Sequence, residues 1–156
     1  MCLRGAVPIR KRLHCTASST YGSTSTGPVS ALVVDTSIWV EYFRGRDLPV
    51  LEGSLRDGLV LLAPVVAAEL LSAPMGTRQR KELHGFLAAL PLHPTPLDHW
   101  AAVGGLRAAL SKRGITISTP DAHIAQTARE AGAAVWSADH VFAQLGSAKI
   151  VRLFAG

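Results

Sequence analysis

The chain has 156 residues, 48% of them hydrophobic, and a formal charge of +5. A chain of that length can bury about two thirds of its unfolded surface in one core. Its two cysteines, Cys2 and Cys15, form no CxxC pair, so neither a disulfide framework nor a zinc staple is indicated and a reducing, cytoplasmic setting is the default. The charge is local. Arg4, Arg10, Lys11 and Arg12 lie in residues 1–30, which hold no acid, leaving 12 basic and 11 acidic side chains in residues 31–156. Residues 1–30 are therefore expected to form a separate basic, Ser/Thr-rich tail: disordered, a transit peptide, or upstream of a true start near Val29. No membrane span is expected, because the most apolar run, 59–71, is short and interrupted by Pro64 and Glu69.

From Ala31 onward, short apolar runs alternate with helical patterns, which predicts an α/β domain over residues 31–156 with a mostly parallel sheet of about four or five strands flanked by helices. Leu32 to Asp35 reads as the first strand. Helices follow over 38–43 and 48–56, the latter stopped by Gly58, and a second strand spans 59–62. Pro64 suits the first turn of a helix running to Ser72, and Pro74 with Gly76 separates it from another over 78–90. Leu92 to Pro94 is a short strand candidate. Thr95 or Asp98 opens a long helix to Arg113, weakened by Gly104 and Gly105, and Gly114 stops it. Thr119, Pro120 and Asp121 start a helix that ends at Gly132; strands are then expected over 134–137 and 149–154.

Four acids stand at strand exits or early in the helices that follow: Asp35, Glu69, Asp121 and Asp139. The carboxyl ends of strands are where open α/β sheets keep their chemistry. Any one of Asp35, Asp121 and Asp139 could simply cap a helix or sit in a turn. Glu69 is different, because it lies among Val65, Val66, Ala67, Ala68, Leu70 and Leu71 with no Lys or Arg nearby in sequence, and a buried, unpaired carboxylate is costly. If these acids converge, each pair about 4 Å apart repels by about 4 kcal/mol at an effective dielectric near 20. A divalent cation is then the natural counterion, and an all-oxygen ligand set points to Mg2+ or Mn2+ rather than zinc. His123 reads as a packed or surface histidine, while His93, His99 and His140 show no metal-ligand spacing. Trp39, Tyr42 and Phe43 lie on a helix apolar almost all round, which must be covered.

VVDTSIWVEYFRG, VVAAELL, TPDAHIAQTAREAG and WSADHVF resemble, in that order, the acidic motifs of PIN-domain ribonucleases, most closely VapC-type toxins. The resemblance spans residues 31–156. It implies Asp35, Glu69, Asp121 and Asp139 as the catalytic, metal-binding set, with Thr36 or Ser37 and Ser137 as supporting hydroxyls. Ala138 stands where an Asn is common, and His123 where an aliphatic residue is usual. The implied activity is hydrolysis of RNA to 5′-phosphate and 3′-hydroxyl ends with Mg2+ or Mn2+. Arg44, Arg46, Lys112 and Arg113 could grip the phosphate backbone. The implied partners are a VapB-type antitoxin, which would also cover the apolar first helix, and a second copy in a homodimer. The competing functions are a non-catalytic PIN-fold binding module and a housekeeping RNA-processing nuclease. A haloacid-dehalogenase-like phosphatase would need a second Asp where Ser37 stands, and a receiver domain would need adjacent acids near its first strand.

Overall fold

In the computed structural model, residues 31–154 are described, and the tail expected over residues 1–30 lies outside them. The sheet is built from β1 (Leu32–Val34), β2 (Val60–Leu61), β3 (Ala134–Trp136) and β4 (Arg152–Leu153), in the order β2-β1-β3-β4. Every pairing is parallel, with Leu32 opposite both Val60 and Ala134, and Val33 opposite both Leu61 and Val135. All three residues of β1 are buried, as a strand with neighbours on both edges and packed faces requires. The expected fifth strand at 92–94 reduces to a single bridge, Leu62 to Leu92.

The strands are shorter than the apolar runs suggest, for local reasons. Leu59 donates its N–H to Ser54 O and so belongs to the turn that closes the preceding helix. Lys149 has φ 58°, a left-handed conformation that no strand accommodates, and Ile150 N bonds back to Leu145 O, so β4 begins only at Arg152.

Among the described residues there are seven helices: α1 (Thr36–Phe43), α2 (Pro49–Arg56), α3 (Pro64–Ser72), α4 (Thr77–Ala88), α5 (Leu97–Ser111), α6 (Thr119–Ala131) and α7 (His140–Ser147). Pro49 and Pro64 occupy first turns, where their missing N–H costs nothing. Gly132, at φ 60°, ends α6 in the left-handed conformation that glycine adopts without strain. Helix α5 runs unbroken through Gly104 and Gly105, because Val103, Leu106 and Leu110 on its buried face anchor it. Helix α7 was not anticipated from the sequence. Its signal is the spacing of Val141, Phe142 and Leu145, all buried, behind a capping Asp139.

One core runs through the molecule, and Trp39, Phe43 and Phe86 form an aromatic cluster within it. Trp39 stacks on Phe43 at 5.7 Å, and Phe86 of α4 meets both rings edge-on at 5.6 and 5.7 Å. This settles what covers α1: Ile38, Trp39, Val40, Tyr42 and Phe43 are all buried within the chain itself, and no partner is needed to cover them. No helix among the described residues is long and apolar enough to cross a membrane.

The topology positions the site. From β1 the chain crosses through α1 and α2 to β2 on one side. It then passes through α3 to α6 and returns to β3 on the other side of β1, from which α7 leads outward to β4. The direction of travel thus reverses between β1 and β3, and the crevice outside the carboxyl ends of two such strands is where open parallel sheets hold ligands.

Candidate functional site

Asp35 follows β1 directly and Ser137 follows β3, so both stand at that crevice. The Asp35 backbone N–H donates to Trp136 O at 2.9 Å, continuing the β1–β3 pairing to the strand ends. Asp35 is 7% exposed and serves as the N-cap of α1, its carboxylate accepting from Ser37 N at 3.4 Å. The same oxygen, Oδ2, also accepts from the hydroxyls of Ser37 and Ser137, each at 2.7 Å. Each hydroxyl is oriented in turn by a backbone donor: Ala138 N to Ser37 Oγ at 3.1 Å, and Asp139 N to Ser137 Oγ at 3.0 Å. A hydroxyl has one proton to give, so accepting those N–H groups commits it toward Asp35.

The other three acids are held in the same manner. The Thr36 hydroxyl donates to Glu69 Oε2, joining α1 to α3. Ser118 caps α6: its hydroxyl donates to Asp121 Oδ2 at 2.6 Å and accepts from Asp121 N at 3.1 Å. Asp139 caps α7, its Oδ1 accepting from Val141 N at 3.1 Å and lying 3.0 Å from Nδ1 of the exposed His140. Among the described residues, no Lys or Arg forms an ion pair with any of the four.

Asp35, Glu69 and Asp139 are therefore connected through Thr36, Ser37 and Ser137, whereas Asp121 is held by Ser118 alone. The arrangement is open. Among the described residues, the only three or more His, Cys, Asp or Glu groups whose ligand atoms all lie within 4.8 Å of one another are His93, His99 and Glu130, not the four acids. Glu69 is half-buried rather than enclosed, with its neighbour Ala68 exposed, so α3 is not packed all round as its composition suggested.

The residues present suit a hard divalent cation. One oxygen of each of Asp35, Glu69 and Asp121 is fixed by a hydroxyl, which leaves the other oxygen as a donor, and none of the four acids has a Lys or Arg partner among the described residues. Mg2+ keeps several of its waters and takes only one or two carboxylates directly, so it does not require all four acids within bonding distance of one ion. The expected phosphate-gripping arginines lie on the surface: Arg44 and Arg46 pair with Glu41 at 3.7 and 3.2 Å, and Lys112 and Arg113 are exposed.

The sequence reading missed a second cluster. His93 Nε2 and His99 Nδ1 each lie 2.8 Å from Glu130 Oε2, and His99 Nε2 lies 2.8 Å from His123 Nδ1. Trp100 stacks on His123 at 4.7 Å. No sequence spacing announces the group, because its members come from the loop before α5, from the first turn of α5, and from both ends of α6.

The PIN domain family profile matches residues 32–148. Comparison with curated protein sequences gives no match. Among solved structures, VapBC2 of Rickettsia felis, bound to a DNA fragment from its promoter, is similar at TM-score 0.63 and 19% identity over 80% of this chain and 97% of that one. VapBC-5 of Mycobacterium tuberculosis, from the VapBC family of toxin–antitoxin systems, is similar at 0.58 and 25% over 83% and 100%. FitAcB of Neisseria gonorrhoeae is similar at 0.56 and 22% over 80% and 96%.

Proposed function

The chain belongs to the PIN-domain family, and from that premise we propose that it is a metal-dependent ribonuclease serving as the toxin of a VapBC-type pair. The observation that supports the reading is Asp35 at the crevice where the sheet order reverses, its Oδ2 held by Ser37 and Ser137, with Thr36 beside it donating to Glu69; Asp121 is braced by Ser118 and Asp139 by the N–H of Val141, and none of the four has a Lys or Arg partner among the described residues.

These carboxylates would hold Mg2+ or Mn2+, which when bound would supply an activated water and charge neutralisation for in-line hydrolysis of a phosphodiester. Asp35 acts as a fixed charge: three donors converge on its Oδ2 and leave Oδ1 for the ion. Ser37 and Ser137 keep that carboxylate from rotating, and Thr36 does the same for Glu69. Ser137 also couples Asp35 to the backbone of Asp139, so the β1 and β3 ends hold one geometry. Arg44 and Arg46 engage substrate phosphates by exchanging their exposed pairs with Glu41, which cost little to break.

The products are RNA fragments with 5′-phosphate and 3′-hydroxyl ends. A VapB-type antitoxin is the partner, a homodimer the assembly, and the cytoplasm the compartment. Support for the pairing comes from the likeness to VapBC-5, a member of the VapBC family of toxin–antitoxin systems. Incubating total cellular RNA with the purified chain tests the activity: cleavage with Mg2+ or Mn2+ and none in chelator is expected, and metal-independent cleavage would defeat it. A neighbouring reading frame encoding a small DNA-binding protein is expected for the toxin assignment, and its absence would favour a housekeeping nuclease.

A further inference from the structure

His93, His99 and Glu130 have the makings of a metal site that is separate from the acidic crevice and of different chemistry. Their ligand atoms, two imidazole nitrogens and one carboxylate oxygen, all lie within 4.8 Å of one another. His93 and His99 are 9% and 3% exposed, whereas the Glu130 side chain is 33% exposed and leaves one side of the group open to solvent. We propose that this cluster binds one Zn2+, with His93 Nε2, His99 Nδ1 and Glu130 Oε2 as protein ligands and water in the fourth position.

The ligand types select the ion. Two imidazoles and one carboxylate suit zinc and other borderline divalent metals, whereas magnesium takes oxygen donors. The geometry requires little movement. Zinc bonds of about 2.0–2.1 Å place tetrahedral ligands about 3.3 Å apart, and each imidazole nitrogen now stands 2.8 Å from the shared Glu130 oxygen. Each imidazole–carboxylate pair would spread by about 0.5 Å, which the partly exposed Glu130 in the last turn of α6 permits, while the two imidazole nitrogens already lie within 4.8 Å of one another.

The groups behind the ligands are also those a zinc site requires. Metal-bound imidazoles almost always use their second nitrogen to donate a hydrogen bond, and ligating carboxylates are themselves hydrogen-bonded. His99 Nε2 faces His123 Nδ1 at 2.8 Å, and the Gln126 amide donates to Glu130 Oε1 at 2.8 Å, which leaves Oε2 for the ion. His123 is fully buried against Trp100, with its Nδ1 placed to accept from His99 Nε2. Its own Nε2 has no hydrogen-bond partner among the described residues. With the ion on His99 Nδ1, its Nε2 would carry the proton and donate to His123 Nδ1. The ion would join the loop after α4 and the start of α5 to the end of α6.

The test is zinc binding by the full chain after chelator treatment, measured as bound zinc per chain by elemental analysis and as affinity by competition with a chromophoric chelator. One zinc per chain and a rise in melting temperature with Zn2+ that saturating Mg2+ does not replace are expected, together with visible bands of tetrahedral Co2+ on substitution. His93→Gln and Glu130→Gln should each weaken zinc binding at least 10-fold and abolish the melting shift. Because Glu130 is partly exposed, Glu130→Gln serves as the folded control should a histidine variant be unstable. Asp35→Asn should bind zinc as the wild type does, which separates this site from the acidic one whether or not the chain proves to be a ribonuclease. Zinc binding that His93→Gln and Glu130→Gln leave unchanged, that Asp35→Asn removes, or that is absent from the wild type would overturn the proposal.

Discussion

The Ser137 hydroxyl donates to Asp35 Oδ2 at 2.7 Å, spanning 102 positions of sequence and closing the gap between the ends of β1 and β3. Ser137 Oγ simultaneously accepts from Asp139 N, so one side chain fixes two of the four acids. Ser137→Ala removes both bonds without adding bulk. A 10- to 100-fold fall in activity or metal affinity is expected, roughly the range seen when groups that orient metal ligands are lost. Cleavage rate measured against Mn2+ concentration checks this; an unchanged curve would mean that Ser137 is only a turn residue.

Thr36 is to Glu69 what Ser137 is to Asp35. Thr36→Val keeps the branched shape and removes the donor, so stability should change by about 1 kcal/mol while activity falls more steeply. Urea unfolding beside an RNA cleavage assay separates the two effects. Parallel losses in both would identify a packing defect instead.

The aromatic face of α1 belongs to the chain's own core. Phe43 is 1% exposed and packs against Trp39 and Phe86, so Phe43→Ala should destabilise the isolated chain by about 3–5 kcal/mol. An isolated chain that lost nothing would show that the face is held by a partner after all.

Acid should weaken the metal-free fold through the histidine cluster. The His123 pKa falls from 6.5 to about 4, chiefly through burial and then through His99 and His93, against an upward pull from Glu130. Between those values the unfolded chain binds a proton that the folded chain refuses, so stability drops as pH falls from 6.5 to 4. Burial also opposes the charge on Glu130, but hydrogen bonds from Gln126, His99 and His93 outweigh it and hold its pKa at about 2. Its contribution is complete above its ordinary value of 4.5 and is lost as pH falls toward 2, so the two groups act in the same direction. Urea midpoints in chelator should therefore decline from pH 6.5 downward, and His123→Asn should flatten the upper part of the profile. A flat wild-type profile would count against a neutral, buried His123.

Much of this architecture is written locally in the chain. The run 32–34 into Asp35, the prolines that open α2 and α3, and Gly132 at the end of α6 are each read from neighbouring residues, because strand burial and helix capping are short-range effects. Helix α7, no shorter than α1 and α2, carries only Val141, Phe142 and Leu145 as its apolar signal, and the apolar run after Lys149 suggests a strand that a left-handed residue then truncates. Hydrophobic composition alone overstated the enclosure of Glu69, since which face of α3 meets the core is decided by tertiary packing. His93, His99 and Glu130 were invisible for a related reason: their 2.8 Å contacts are made across three segments that only the packing of α5 on α6 brings together.

The most direct test of the acidic site is cleavage of an end-labelled RNA by the wild type and by Asp35→Asn at saturating Mn2+. Asn caps a helix about as well as Asp, so the variant should keep the wild-type fold and melting temperature while losing the charge. At least a 100-fold loss of cleavage is expected, with wild-type products bearing 5′-phosphate and 3′-hydroxyl ends and none formed in chelator. Equal cleavage by the two proteins, or cleavage that survives chelation, would contradict Asp35 as a metal-holding residue and metal-dependent RNA hydrolysis as the function of the chain.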